Sequence, residues 1–291
     1  MKPFRILFAA CAALLAACSA PPRGEGVPRL ALVIGNAAYE NAPALKNPAN
    51  DAADMCAALG RLGFKTLCHA NVRDRAEFDA RVKEYVEQLG PSSVGVFYFS
   101  GHGVQARDAN FLIPTQVQPR SVSEDPLRVL YGVDELFDRL RQRPTKFQLV
   151  ILDACRTDLF AAPRTATSRG APPAATKSAL VRALETDGRA ASGLAPIKDA
   201  PPSTIVLYAT ASKDAAYDGD GRNGPLTKHI LQHIGTRGVP VEEFIKRVTQ
   251  GVETETARDY RRRQTPFIYG SFGGTFCFAG CPGAAQVPPS F

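Results

Sequence analysis

The stretch VILDACRTDLF, residues 150–160, leaves an apolar run for an acid, a thiol and a base in quick succession. These are Asp153, Cys155 and Arg156. A central strand of an α/β sheet is apolar on both faces, and functional residues gather just past the carboxyl ends of such strands. FQLVILD, residues 147–153, therefore predicts a buried strand, with Cys155 as a candidate nucleophile at its end. Arg156 is expected to face solvent or to serve the structure rather than the chemistry.

The same alternation extends outward in both directions. LALVIG, residues 30–35, is a continuous apolar run. The following segment, 47–64, opens on an Asn/Asp cap and carries Met55, Leu59 and Leu62 at helical spacing before stopping at Gly63. Residues 64–69 predict a strand, 74–89 a helix with Phe78, Val82, Tyr85 and Leu89 on one face, 93–100 a third strand and 110–114 a short fourth. A helix over 133–142 precedes the strand at 147–153, and a further strand at 203–210 is followed by helices over 224–234 and 241–256. At 291 residues with 45% hydrophobic content, this is one large domain. Its fold class is α/β, a three-layer α/β/α arrangement around a mostly parallel central sheet of about six strands. The domain is expected over residues 29–278, with a tail over 279–291. Between about 161 and 203 the pattern fails in a run of Ala, Pro, Ser, Thr and Gly, where only KSALVRALET could form a helical turn or two. A loop of that length is functional or disordered.

Two strand ends stand out. YFSGHG puts Ser100 and His102 after the third strand, and LDACR puts Asp153 and Cys155 after the next central one. Adjacent parallel strands lie about 4.8 Å apart, so residues at neighbouring ends can meet across a crevice. A thiol and an imidazole there form a dyad: the His raises the thiolate fraction and later protonates a leaving amine, while the backbone N–H groups of Gly103 and Cys155 can hold an oxyanion. Either residue alone reads as inert core. Their joint placement on strand ends favours catalysis.

The N-terminus reads as an export signal, with Lys2 and Arg5 ahead of a short apolar segment ending at residue 17. Leu15-Ala16-Ala17-Cys18 resembles a bacterial lipobox, which makes Cys18 the lipidated first residue of the mature chain, followed by a tether over 18–28. The expected location is the periplasmic face of the outer membrane. Cleavage after Ala20, giving a soluble periplasmic protein, is the alternative. Of the seven cysteines, Cys11 and Cys18 belong to the signal and anchor, leaving Cys56, Cys68, Cys155, Cys277 and Cys281 for an oxidising compartment. Two disulfides, Cys56 with Cys68 and Cys277 with Cys281, and one free thiol are the simplest arrangement; a zinc site is the rival, without a His at ligand spacing. The formal charge of +7 falls to +5 when Lys2 and Arg5 leave with the signal. No nucleic-acid partner is expected, because the Arg residues are scattered and lack interleaved aromatics.

Four segments, ALVIGNAAYENAPALKNPANDAADM (31–55), VFYFSGHGVQARDANFLIP (96–114), LVILDACRTDLF (149–160) and YATASKDAAYDGDGRNGPLT (208–227), together resemble the bacterial branch of the caspase-like cysteine peptidases, the metacaspase and orthocaspase group. The resemblance covers roughly residues 29–278 apart from the insert. It implies a caspase-hemoglobinase fold with His102 and Cys155 as the dyad. It also implies a first specificity pocket at Asp51, Ser100 and Asp153 that selects Arg or Lys before the scissile bond. Physically, buried carboxylates would give a guanidinium charge-assisted hydrogen bonds and repel an acidic side chain. For Asp51 a helix N-cap is the competing role.

Two positions depart from the metacaspase pattern. Ala162 stands where an acid often helps to hold calcium, and the loop after LIP reads Thr115-Gln116. The run DGDGRNG, 218–224, lacks the terminal Glu of an EF-hand loop and reads as a polar turn near the cleft. No cofactor and no metal are expected. The expected partners are protein or peptide substrates with basic residues, and a membrane reached through the lipid anchor. The expected activity is that of a cysteine endopeptidase cutting after Arg or Lys. The alternative is a catalytically silent scaffold that keeps the fold for binding. A nucleotide-binding domain, a third reading, lacks its glycine-rich phosphate loop, since IGNAAYEN after the first strand has only one Gly.

Overall fold

In the computed structural model the described residues are 27–117, 125–155, 190–192, 194, 197, 199–210 and 216–282. The signal segment, Cys18, Arg156, Ala162 and most of the insert lie outside them. The six-stranded path of the sheet runs β2(Lys65–Ala70), β1(Arg29–Gly35), β3(Val94–Ala106), β6(Phe147–Cys155), β8(Thr204–Tyr208), β9(Phe267–Gly270). The first five are parallel and β9 is antiparallel to β8. β4(Ala109–Leu112) folds back on the end of β3 through a turn at Arg107 and Asp108, both at positive φ, and pairs in turn with β5(Tyr131–Gly132).

The apolar runs are explained by coverage on both faces. Strand side chains alternate, so Ala31 and Val33 face one helical layer while Leu30, Leu32 and Ile34 face the other. The first layer holds α1(Pro48–Arg61), α4(Pro225–His233) and α5(Val241–Asp259); the second holds α2(Arg75–Glu87) and α3(Val133–Arg141). Phe78 of α2 stacks on Tyr131 at 4.5 Å and tilts against Phe99 at 5.9 Å, all three fully buried. Truncating such a ring to Ala costs roughly 3–5 kcal/mol.

The structure amends the sequence reading in four places. The third strand does not stop at Ser100: it continues through His102 to Ala106, because small residues at 101, 103 and 154 let β3 and β6 stay paired to the His102–Cys155 register. The insert is not without regular structure, since β7(Ala190–Ser192) pairs antiparallel with β3, and Leu194 and Ile197 are buried in the core below α3. β9 was not anticipated, its four residues being mostly exposed rather than apolar-buried. The domain also reaches past residue 278, for Gly280 accepts a backbone bond from Gly238 and Cys281 is joined to Cys277.

Candidate active site

The site lies where β3 and β6 end side by side. Their parallel register pairs Ser100 with Asp153, Gly101 with Ala154 and His102 with Cys155. Cys155 is the last residue of β6, directly across the ladder from His102.

His102 is fully buried, and the loop between β1 and α1 holds it from three sides. Its backbone N–H donates to the Tyr39 hydroxyl at 2.7 Å, its ring packs on the Tyr39 ring at 4.4 Å between centroids, and its Nε2 lies 2.7 Å from the Pro43 carbonyl. A carbonyl only accepts, so Nε2 carries the hydrogen and Nδ1 keeps its lone pair. Among the described residues Nδ1 has no hydrogen-bond partner. Burial drives the imidazole down to about 4, against a smaller upward pull from the Pro43 carbonyl. At neutral pH the ring is therefore uncharged, with a lone pair on Nδ1. Asn36, also fully buried, anchors the loop: its side chain donates to the Ile113 carbonyl at 3.1 Å and accepts from Val72 N at 2.9 Å.

Two residues back along β6 lies Asp153, opposite Ser100 of β3, and Asp51 reaches the same place from α1. Asp51 is in the first turn of α1 rather than at its N-cap, which is Asn47 and makes no side-chain cap bond. The capping role is thereby excluded, because the carboxylate is turned to other partners. Oδ2 accepts from Ser100 Oγ at 3.1 Å, and Oδ1 accepts from Asn223 Nδ2 and Gly224 N, each at 3.1 Å. Asp153 Oδ2 accepts from Thr227 Oγ1 at 2.7 Å, and Tyr98 Oη stands 2.5 Å behind that hydroxyl. Both carboxylates are nearly inaccessible, at 2% and 4% exposure, and among the described residues neither is ion-paired with a cation. Burial raises both well above the ordinary carboxylate range. The charge of Asp153 adds to the rise at Asp51, and that of Asp218 to the rise at Asp153. An uncompensated buried acid pair is costly to fold.

The loop over 217–224 closes this side. The Asp218 carboxylate accepts from Lys46 N at 2.7 Å and Asn47 N at 3.3 Å, and Asn47 Nδ2 donates back to the carbonyls of Asp218 and Gly219. Arg222 makes a two-point bond to Asp54 at 2.8 and 2.9 Å. DGDGRNG is thus a latch between loops. Gln264, fully buried, ties the same loop to the end of β8, accepting from Tyr217 N and donating to the Ala209 carbonyl, each at 2.9 Å.

Several of these residues escaped the sequence reading: Tyr39, Pro43, Asn223, Gly224 and Thr227. All lie within the segments 31–55 and 208–227, yet their partners are 59 to 173 residues away in the chain. Gly103 follows His102 under Leu194, and a Cβ there would come within 2.9 Å of Ala154 and 3.0 Å of Leu194, so packing alone already requires glycine. The structure joins Cys56 to Cys68, stapling α1 to β2 with Cα atoms 6.3 Å apart, and Cys277 to Cys281 at 5.2 Å. None of the four thiols remains for a metal.

A six-strand sheet with helices on both faces and a His/Cys register beside buried acids defines an α/β fold of the cysteine-peptidase kind. The chain belongs to the caspase domain family, whose profile matches residues 28–276. Among curated proteins it is similar to human mucosa-associated lymphoid tissue lymphoma translocation protein 1, with 28% identity over 130 residues, 44% of this chain and 15% of that one. The mouse homologue matches to the same extent. The chain thus spans a small part of these relatives' length. Among solved structures, caspase-1 of Spodoptera frugiperda superposes with a TM-score of 0.56 at 13% identity, covering 87% of this chain and 92% of that one. A structural-genomics protein of Geobacter sulfurreducens superposes with 0.59 at 18%, covering 85% and 94%. These two likenesses establish the caspase-hemoglobinase fold.

Proposed function

We propose that the protein is a cysteine endopeptidase that hydrolyses peptide bonds after Arg or Lys. The observation that carries this reading is the register itself: His102 opposite Cys155, two residues beyond Ser100 opposite Asp153. Two residues of strand are about 7 Å, so a long side chain on the acyl side of the scissile bond would reach the buried acids while its carbonyl lay at the dyad.

In the proposed cycle the Cys155 thiol gives its proton to His102 Nδ1, and the sulfur attacks the peptide carbonyl carbon. The oxyanion is held by the N–H groups of Gly103 and Cys155. Collapse breaks the C–N bond, and the imidazolium, held in place by the Pro43 carbonyl, returns its proton to the leaving amine. Water then hydrolyses the thioester with His102 as base. A silent scaffold would have no need of an uncharged, oriented imidazole at this register. The protein is further proposed to be exported and held at a membrane through a lipid on Cys18, with basic proteins or peptides as substrates. Its two disulfides suit the oxidising side of that membrane.

Digestion of a peptide library by the purified protein tests the assignment directly. Cuts should follow Arg or Lys and vanish with Cys155→Ala and with His102→Ala, each variant staying folded. Comparable turnover by folded Cys155→Ala protein would end the peptidase assignment.

A further inference from the structure

Gly224 is the N-cap of α4 and stands where Asp51 and Asp153 come together. A Cβ placed on it would lie 3.5 Å from Asp51 Oδ2, 3.7 Å from Asp153 Oδ2 and 3.5 Å from the Asp218 carbonyl oxygen. These are ordinary contact distances. Its φ of −62° and ψ of 155° are open to any residue. Neither strain nor crowding within the protein requires glycine here. Gly35 and Gly251 differ, since a Cβ on either would strike its neighbours at 2.1 and 2.3 Å.

What a methyl group would take instead is the space between two buried carboxylates. A cationic nitrogen approaches a carboxylate oxygen to about 2.7–2.9 Å, so a carbon 3.5–3.7 Å from one oxygen of each acid occupies the region from which a positive head group would reach both. The acids cannot swing aside to make room. Asp51 is pinned by Ser100, Asn223 and the Gly224 N–H, and Asp153 by the Tyr98–Thr227 hydroxyl chain.

We propose that Gly224 is a specificity-determining residue, its missing side chain leaving the space in which the head group of a basic substrate side chain lies between Asp51 and Asp153. This rests on the reading of those acids as the pocket for Arg or Lys and deepens it. Gly224→Ala should fold and yet exclude the cation.

The test compares wild type, Gly224→Ala and Gly224→Ser on matched peptides with Arg, Lys or Asp before the cut. Binding of agmatine, which carries a guanidinium and no peptide bond, is measured by calorimetry on Cys155→Ala protein with and without Gly224→Ala. Both Gly224 variants should keep the wild-type circular dichroism and unfold cooperatively, Gly224→Ala with a somewhat lower midpoint because Ala caps α4 less well than Gly. KM for Arg and Lys peptides should rise tenfold or more, with kcat changed less, and agmatine affinity should fall by a similar factor. A folded Gly224→Ala protein with an Arg-peptide KM within twofold of wild type overturns the inference and leaves the pocket standing. A wild type that prefers Asp removes pocket and inference together. Failure of both Gly224 variants to fold would show that the space is not free, and also overturns it.

Discussion

Replacing Asp153 with Asn should make the protein more stable and less active. Asp153 is buried, shares its surroundings with Asp51 and has no cationic partner among the described residues, so its ionised form is held at a cost. Asn keeps an oxygen to accept the Thr227 hydroxyl now bonded at 2.7 Å, and its amide can donate towards Asp51. Relieving a buried, unpaired charge contributes on the order of 1–3 kcal/mol, or about 2–4 °C in Tm per kcal/mol for a domain of this size. The sign depends on pH. Folding raises this carboxyl, so the cost is full above the raised value and disappears as pH falls towards the ordinary carboxylate range. The advantage of Asn should therefore be present at pH 8 and shrink in acid.

Activity should move the other way. Losing a charge-assisted bond to a guanidinium costs about 1.5–3 kcal/mol, which is roughly ten- to a hundredfold in kcat/KM for an Arg peptide. Thermal unfolding at several pH values beside kinetics on matched Arg and uncharged peptides separates the two effects. A destabilised Asp153→Asn protein, or one that keeps its Arg preference, would refute the account of Asp153 as an acid maintained for substrate at the expense of stability.

His102 gives the opposite pH dependence: folding depresses its imidazole from 6.5 to about 4, so stability is intact above 6.5 and is lost as pH falls through that interval. The total is about 3 kcal/mol at 1.36 kcal/mol per unit, and denaturant titrations of wild type against His102→Gln should show wild type losing that much relative to the variant. Mature protein should begin at a lipidated Cys18 and partition with membranes; mass spectrometry finding an unmodified Pro21 at the N-terminus would reject the anchor. The insert carries Arg164, Arg169, Lys177, Arg182 and Arg189, which match the proposed specificity. Pure wild type should nick itself there and Cys155→Ala should not. Equal nicking of both would reduce the insert to a linker.

The layers were legible because burial on two faces leaves unbroken apolar runs such as LALVIG, and helices facing a sheet repeat at 3.6 residues. β7 and β9 were not, since AAS and FIYG carry neither signal and are strands only because β3 and β8 offer them open edges. In the site, His102, Asp153 and Cys155 could be read from strand ends, where chemistry is local to the motif. Asp51 was ambiguous because the sequence shows an acid at a helix start and not where its oxygens turn. Tyr39, Pro43 and Gly224 act through a ring face, a carbonyl and an absent side chain, and none of these is written in residue type.

One loop joins the two halves of the site. Starting from the end of β1, it supplies Tyr39 and Pro43 to His102, then Lys46 and Asn47 to Asp218, and within a turn of α1 it delivers Asp51. The imidazole and the acid pair are thus fastened to one segment, residues 36–51, whose first residue, Asn36, is bonded to Ile113 and Val72. A head group drawn between Asp51 and Asp153 would pull on α1 and on the 217–224 latch, both continuous with the carbonyl that orients His102. In the proposed reaction, placement of the base and selection of the substrate then depend on one segment, which is held by hydrogen bonds to β3 and to the 217–224 latch rather than by burial, since Glu40, Pro43 and Lys46 are exposed.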